Sequence, residues 1–79
     1  MMQIAYTSAA IRQLKKLPTD VRSRIVGKLI RYAETGEGDV KALQGVDAMR
    51  LRVGDWRVVF TRDGVILTVF KVAHRREVY

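Results

Sequence analysis

The sequence predicts an α+β fold in the order β-α-α-β-β-β, a small, mostly antiparallel sheet with an αα-hairpin packed on one face. Three observations carry that expectation. Apolar residues recur at helical spacing through residues 8–35 and at a spacing of two beyond residue 48. The single proline, Pro18, splits the helical part into two. The pairs Gly54-Asp55 and Asp63-Gly64 cut the second part into strands.

The first strand is "MQIAYT", which alternates and carries β-favouring Ile and Tyr. Thr7 or Ser8 can cap the helix that follows. In that helix Ile11, Leu14 and Leu17 mark one face, with Arg12, Lys15 and Lys16 off it. The second helix, "DVRSRIVGKLIRYAETG", starts at Thr19 or Asp20. Val21, Ile25, Leu29 and Tyr32 form its stripe, widened by Val26, Ile30 and Ala33, and Gly36 is a suitable stop. "GEGDVKALQGVD" is polar and glycine-rich and reads as a loop, with at most one helical turn and Leu43 as its anchor. It lacks the GxxxxGK[ST] pattern of a nucleotide-binding loop.

The strands then follow one another. "AMRLRV" sets Met49, Leu51 and Val53 on one face and Arg50 and Arg52 on the other. "WRVVFTR" sets Trp56, Val58 and Phe60 against Arg57, Val59 and Thr61. "VILTVFKVAH" has no clean alternation and reads as a central strand buried on both faces. The three form a meander, and the first strand of the chain should lie beside the last. One face meets the helices; the other is left partly open, with Arg50 and Arg52 on it.

Composition narrows the function. The 79 residues suit one domain spanning 1–79, with 48% hydrophobic residues and no cysteine. One histidine cannot build a conventional zinc site, no apolar run reaches the ~20 residues of a membrane span, and the start lacks the marks of a signal peptide. The expectation is a cytoplasmic protein without metal, cofactor or membrane. Fifteen Lys and Arg against eight Asp and Glu leave a net charge of +7, which favours a polyanion or an acidic partner.

The basic residues converge. Arg50, Arg52 and Arg57 come from two neighbouring strands, and Lys71, Arg75 and Arg76 from the end of the next. Guanidinium groups on a rigid sheet suit phosphate, which they bind in pairs of hydrogen bonds. On an ordinary solvated sheet face the same arginines would pair loosely with Asp47, Asp55 or Glu77. His74 is the one side chain whose ordinary pKa lies near neutrality, so it can carry a proton, or it can serve as a strand-end histidine bonded to backbone. Tyr79 can transfer a proton, stack on a base, or plug the sheet edge.

"LQGVDAMRLRVGDWRVVF" followed by "VFKVAHRREVY" closely resembles the RelE-type toxins of bacterial toxin–antitoxin systems, in the RelE/ParE superfamily. The resemblance covers nearly the whole chain, and "RLRVGDWRV" and "HRREVY" together are fairly specific. It implies cleavage of mRNA in the ribosomal A site by attack of a 2′-OH on the adjacent phosphate, without metal. By motif position it implies functional roles for Arg50, Arg52, Arg57, Arg75 and Tyr79. Guanidinium is too weak an acid to serve as a base. Arg57 and Arg75 are therefore expected to clamp the phosphate and Arg50 and Arg52 to hold the backbone, with Lys71 and Arg76 beside them. His74 and Tyr79 are left for proton transfer. The superfamily also holds ParE-type inhibitors of DNA gyrase, and a catalytically silent, antitoxin-bound relative is a third reading. All three imply a cognate antitoxin whose acidic or amphipathic segment covers the basic face and folds as it binds; the first adds the ribosome and mRNA as partners.

Overall fold

The computed structural model describes residues 2–77. β1 (Gln3–Tyr6) leads into α1 (Ser8–Lys15), and Thr7 caps that helix, its Oγ1 accepting from the Ala10 N–H at 3.2 Å. The cap satisfies one of the N–H groups that a helix start leaves without a partner. At the other end the last bonds tighten, Leu17 N–H to the Leu14 carbonyl at 3.1 Å, before Pro18. Proline has no N–H to offer, so it stands where α2 (Thr19–Thr35) begins, and its carbonyl accepts the first bond, from Arg22, at 3.0 Å. Gly36 ends α2 in the left-handed conformation, φ +78°, its N–H closing on the Tyr32 carbonyl at 2.8 Å.

The remaining strands are β2 (Asp39–Ala42), β3 (Met49–Val53), β4 (Trp56–Arg62) and β5 (Ile66–His74). They form one five-stranded sheet in the order β1-β5-β4-β3-β2. β1 runs parallel to β5, Gln3 opposite Ile66, and every other pairing is antiparallel. The first strand thus lies beside the last, as the sequence predicts. The helical hairpin covers one face. Ala10 and Leu14 from α1 and Ile25, Leu29 and Tyr32 from α2 meet Leu51, Val53, Val58, Phe60, Leu67, Val69 and Val72 in one buried cluster. The Tyr32 ring tilts against Phe60 with centroids 5.3 Å apart.

Three expectations are corrected. Ile11 and Ile30, assigned to the buried stripes, are exposed; Ala10 and Leu14 fill the α1 side and Ala33 the end of α2. The stripes are narrower because each helix meets the sheet along one line of contact. The segment expected as a loop contains β2, an edge strand with Val40 opposite Leu51. A strand of four residues is too short for a visible period, and the partner strand holds it. Finally, β5 is not buried on both faces. Phe60 pairs with Val69 and Val59 with Lys71, so Phe70 is an extra residue, a β-bulge. Leu67, Val69 and Val72 all face the helices, while Ile66 and Phe70 are exposed. The bulge switches the phase of alternation, and this is why the run looks apolar throughout.

Candidate nucleic-acid interface

The face of the sheet away from the helices is built by register. Across its middle lie Lys41, Arg50 and Val59, with Phe70 and Lys71 at the bulge. The next row is Asp39, Arg52, Arg57 and Ala73. Two direct cross-strand pairs are therefore cation against cation: Lys41 with Arg50, and Arg52 with Arg57. Like charges in that position destabilise a sheet, by roughly 0.2–1 kcal/mol a pair. Asp39 is the sole carboxylate in the two rows, and its Oδ2 lies 3.9 Å from Arg52 Nη1 with both side chains more than half exposed. At that distance and exposure the pair offsets little.

The second row ends at the β3–β4 hairpin. Gly54 takes φ +58° and Asp55 does not have positive φ, which is the geometry of a turn that needs glycine first. Arg57 folds back over this turn: its Nη1 donates to the Gly54 carbonyl at 2.8 Å and to the Trp56 carbonyl at 3.0 Å. The guanidinium is held in place while its other N–H groups stay available. Arg75 reaches the same turn from the end of β5. Its backbone N–H donates to the Asp55 carbonyl at 2.8 Å, and its Nε lies 3.9 Å from Asp55 Oδ1. The structure thus brings Arg57 and Arg75 to one corner of the sheet, both exposed enough to receive an anion. Arg76 follows in an exposed turn, its N–H donating to His74 Nδ1 at 3.4 Å.

His74 is not brought to that face. It pairs with Trp56, whose parity is that of Val58 and the core. Its ring stands edge-on to the Trp56 ring, centroids 5.4 Å apart, at the helix-side cleft lined by Leu17 and Val72. The sheet separates it from Arg57, whose partner is Ala73. Alternation along one strand sends neighbours to opposite faces, and the bulge upstream shifts which of them goes where. Lys71 lies opposite Val59 and also borders that cleft, at the rim between the two sides. Tyr79 lies outside the described residues. Among the described residues, no three His, Asp or Glu side chains converge to hold a metal ion, and no helix is long and apolar enough to cross a membrane.

A family profile described as ParE toxin of type II toxin-antitoxin system, parDE, matches residues 4–79. The chain belongs to this toxin family. Solved structures of RelE and YoeB toxins share its fold. RelE in the RelE–RelB complex of Pyrococcus horikoshii superposes with a TM-score of 0.81 at 20% identity, covering 96% of this chain and 97% of that one. The RelB–RelE complex of Methanococcus jannaschii gives 0.78 at 22% identity over 95% and 94%. The YoeB dimer of Staphylococcus aureus gives 0.77 at 16% identity over 92% and 95%. At such identities the likeness is one of fold. No curated protein sequence matches this toxin.

Several residues of the face escape sequence reasoning. Lys41 and Asp39 are hidden because "DVKA" lies in a polar, glycine-rich stretch; the signal is the alternation of Val40 and Ala42 with two charged residues. Phe70 is hidden by the broken period of "VILTVFKVAH", and that break is itself the sign of a bulge. Asp55 was visible as a turn residue, but its hold on Arg75 depends on where the chain returns.

Proposed function

We propose that this toxin is a ribosome-dependent mRNA endoribonuclease of the RelE kind, acting in the cytoplasm and restrained by a cognate antitoxin that covers the basic face. The observation that carries the reading is the direct pairing of Arg52 with Arg57, repeated by Lys41 with Arg50. A sheet face built for stability would set a carboxylate opposite each cation. Paired cations on rigid strands are stabilised by an anion with several oxygens, and a phosphodiester is such an anion.

The roles follow from position. Arg50 and Arg52 hold the backbone of the RNA. Arg57, anchored on the hairpin carbonyls, and Arg75, whose backbone N–H is tied to the Asp55 carbonyl, clamp the scissile phosphate at the corner. In the reaction the 2′-oxygen forms a bond to phosphorus, its proton passes to a base, and the bond to the 5′-oxygen breaks as that oxygen takes up a proton. The negative charge that gathers on the phosphoryl oxygens is met by the two guanidiniums. Tyr79 keeps the proton-transfer role left to it because guanidinium is unsuited as a base; His74, on the helix side of the sheet, is given none.

Inhibition of DNA gyrase is the second reading, favoured by the parDE description of the matching family. One experiment separates them: induce the full chain, map cuts in a translated and an untranslated copy of one mRNA by primer extension, and assay supercoiling in the same lysates. Cuts confined to the translated copy support the endoribonuclease. Intact mRNA with lost supercoiling supports gyrase inhibition, and neither effect marks a silent relative.

A further inference from the structure

Phe70 is the feature of the open face that the phosphate-handling reading leaves without a task. The chain has two phenylalanines; Phe60 is fully buried, whereas Phe70 is 44% exposed. A single exposed apolar side chain is ordinary on a protein surface. Its setting is not. The bulge at Phe70 turns it and Lys71 away from the core side, between Val69 and Val72, which both face the helices. Ile66, 38% exposed, lies on the same face of the same strand. The flat aromatic ring therefore shares a face with the basic row: Lys71 is its neighbour on β5, Arg50 lies two strands away and Lys41 three. β5 and β3 are two strands apart, roughly 10 Å, within the reach of a dinucleotide.

We infer that Phe70 is a base-stacking platform: a base of single-stranded RNA lies on its ring while Arg50 and Lys71 hold the flanking phosphates. This deepens the endoribonuclease reading and rests on it, since it assumes that the open face meets RNA. Bulges re-aim side chains beside functional sites, and an aromatic ring among cations is the recurring arrangement of single-strand binding surfaces. Apolar protein partners would also cover Phe70, but the charged residues of its row, Lys41, Arg50 and Lys71, are all cations and match a polyanion. Because every base offers a flat face, the contact positions the strand without selecting its sequence.

The test uses the full chain made by cell-free synthesis and a fluorescent 2′-O-methyl oligoribonucleotide, which binds without being cut, with fluorescence anisotropy as the readout. Phe70→Ala should weaken binding roughly 5- to 150-fold, with its circular-dichroism melt unchanged, and Phe70→Tyr should retain affinity. A matched oligonucleotide lacking the base at the stacked position should bind the wild type less tightly and cost Phe70→Ala nothing further, a coupling that a merely structural role would not produce. Wild-type affinity in Phe70→Ala overturns the inference. If Arg52→Ala and Arg57→Ala then still lose binding and mRNA cleavage, the endoribonuclease reading survives its failure. If the wild-type chain neither binds the oligonucleotide nor cuts mRNA, both fall. Weaker capture of a co-expressed antitoxin with unchanged RNA affinity would make Phe70 a protein contact and also overturn it.

Discussion

Replacing Arg57 by alanine separates a catalytic arginine from a structural one. The side chain makes two hydrogen bonds, to the Gly54 and Trp56 carbonyls at 2.8 and 3.0 Å. Gly54 is exposed, so water takes over at least its carbonyl when the guanidinium is removed. A net loss of about 1 kcal/mol is the appropriate scale for such bonds. Against it stands the relief of facing Arg52 across the strands, roughly 0.2–1 kcal/mol. That relief offsets part of the loss, and even the full 1 kcal/mol would lower the melting temperature of a domain this size by only about 4–8 °C. The effect on cleavage is of another order. Losing one preorganised donor to a developing oxyanion slows a reaction by roughly 10²–10³. Arg57→Lys keeps the charge but cannot fork between the turn and a phosphate, so it should recover RNA binding more than rate. The assay is the rate of mRNA cleavage in a translation extract, beside a thermal melt of each variant. An Arg57→Ala protein that melts normally and cuts at the wild-type rate would refute the assignment. So would a variant whose activity falls only in step with its folded fraction.

Other residues give independent checks. Thr7→Ala removes the α1 cap and should destabilise the chain by about 1 kcal/mol, a drop in melting temperature that Thr7→Ser largely avoids. His74→Ala removes the edge-on partner of Trp56; the tryptophan fluorescence should shift and stability fall by roughly 0.5–1.5 kcal/mol, while a cleavage pH profile that changes with it would show that the ring reaches the RNA. Asp63 accepts backbone hydrogen bonds from Ile66 at 2.8 Å and Val65 at 2.9 Å, which hold its carboxyl below the ordinary value of 3.8. A depressed carboxyl stabilises the fold above its unfolded value, and that stability is lost as pH falls through the folded value. Asp63→Asn keeps the accepting oxygen but does not titrate, so the gap in melting temperature between wild type and Asp63→Asn should shrink once pH drops below 3.8. A gap that stays constant would remove Asp63 from the acid transition.

Most of the fold was legible because local rules and tertiary demands agree in this chain. Thr7, Pro18, Gly36, Gly54 and Asp63-Gly64 mark element ends by their own chemistry, and each does so in the structure. Parity alone put Arg50, Arg52 and Arg57 opposite the core, and the register agrees. Parity failed where the chain breaks its own period. His74 lies beyond the Phe70 bulge, and counting from either end of "VILTVFKVAH" without the bulge misassigns faces. β2 failed for the opposite reason: four residues carry too little pattern, and its pairing with β3 supplies the order that its sequence does not.

By itself, then, the sequence determined the element order, the helical hairpin, the meander and the sign of the open face, since these depend on side-chain period, turn geometry and charge. Tertiary structure decided which cations meet. Arg52 faces Arg57 because a two-residue turn sets the register, Lys41 joins Arg50 because an edge strand docks, and Arg75 reaches Asp55 because β5 returns beside the hairpin. Those are relations between residues distant along the chain. They exist only once backbone hydrogen bonds between strands have chosen one register among several.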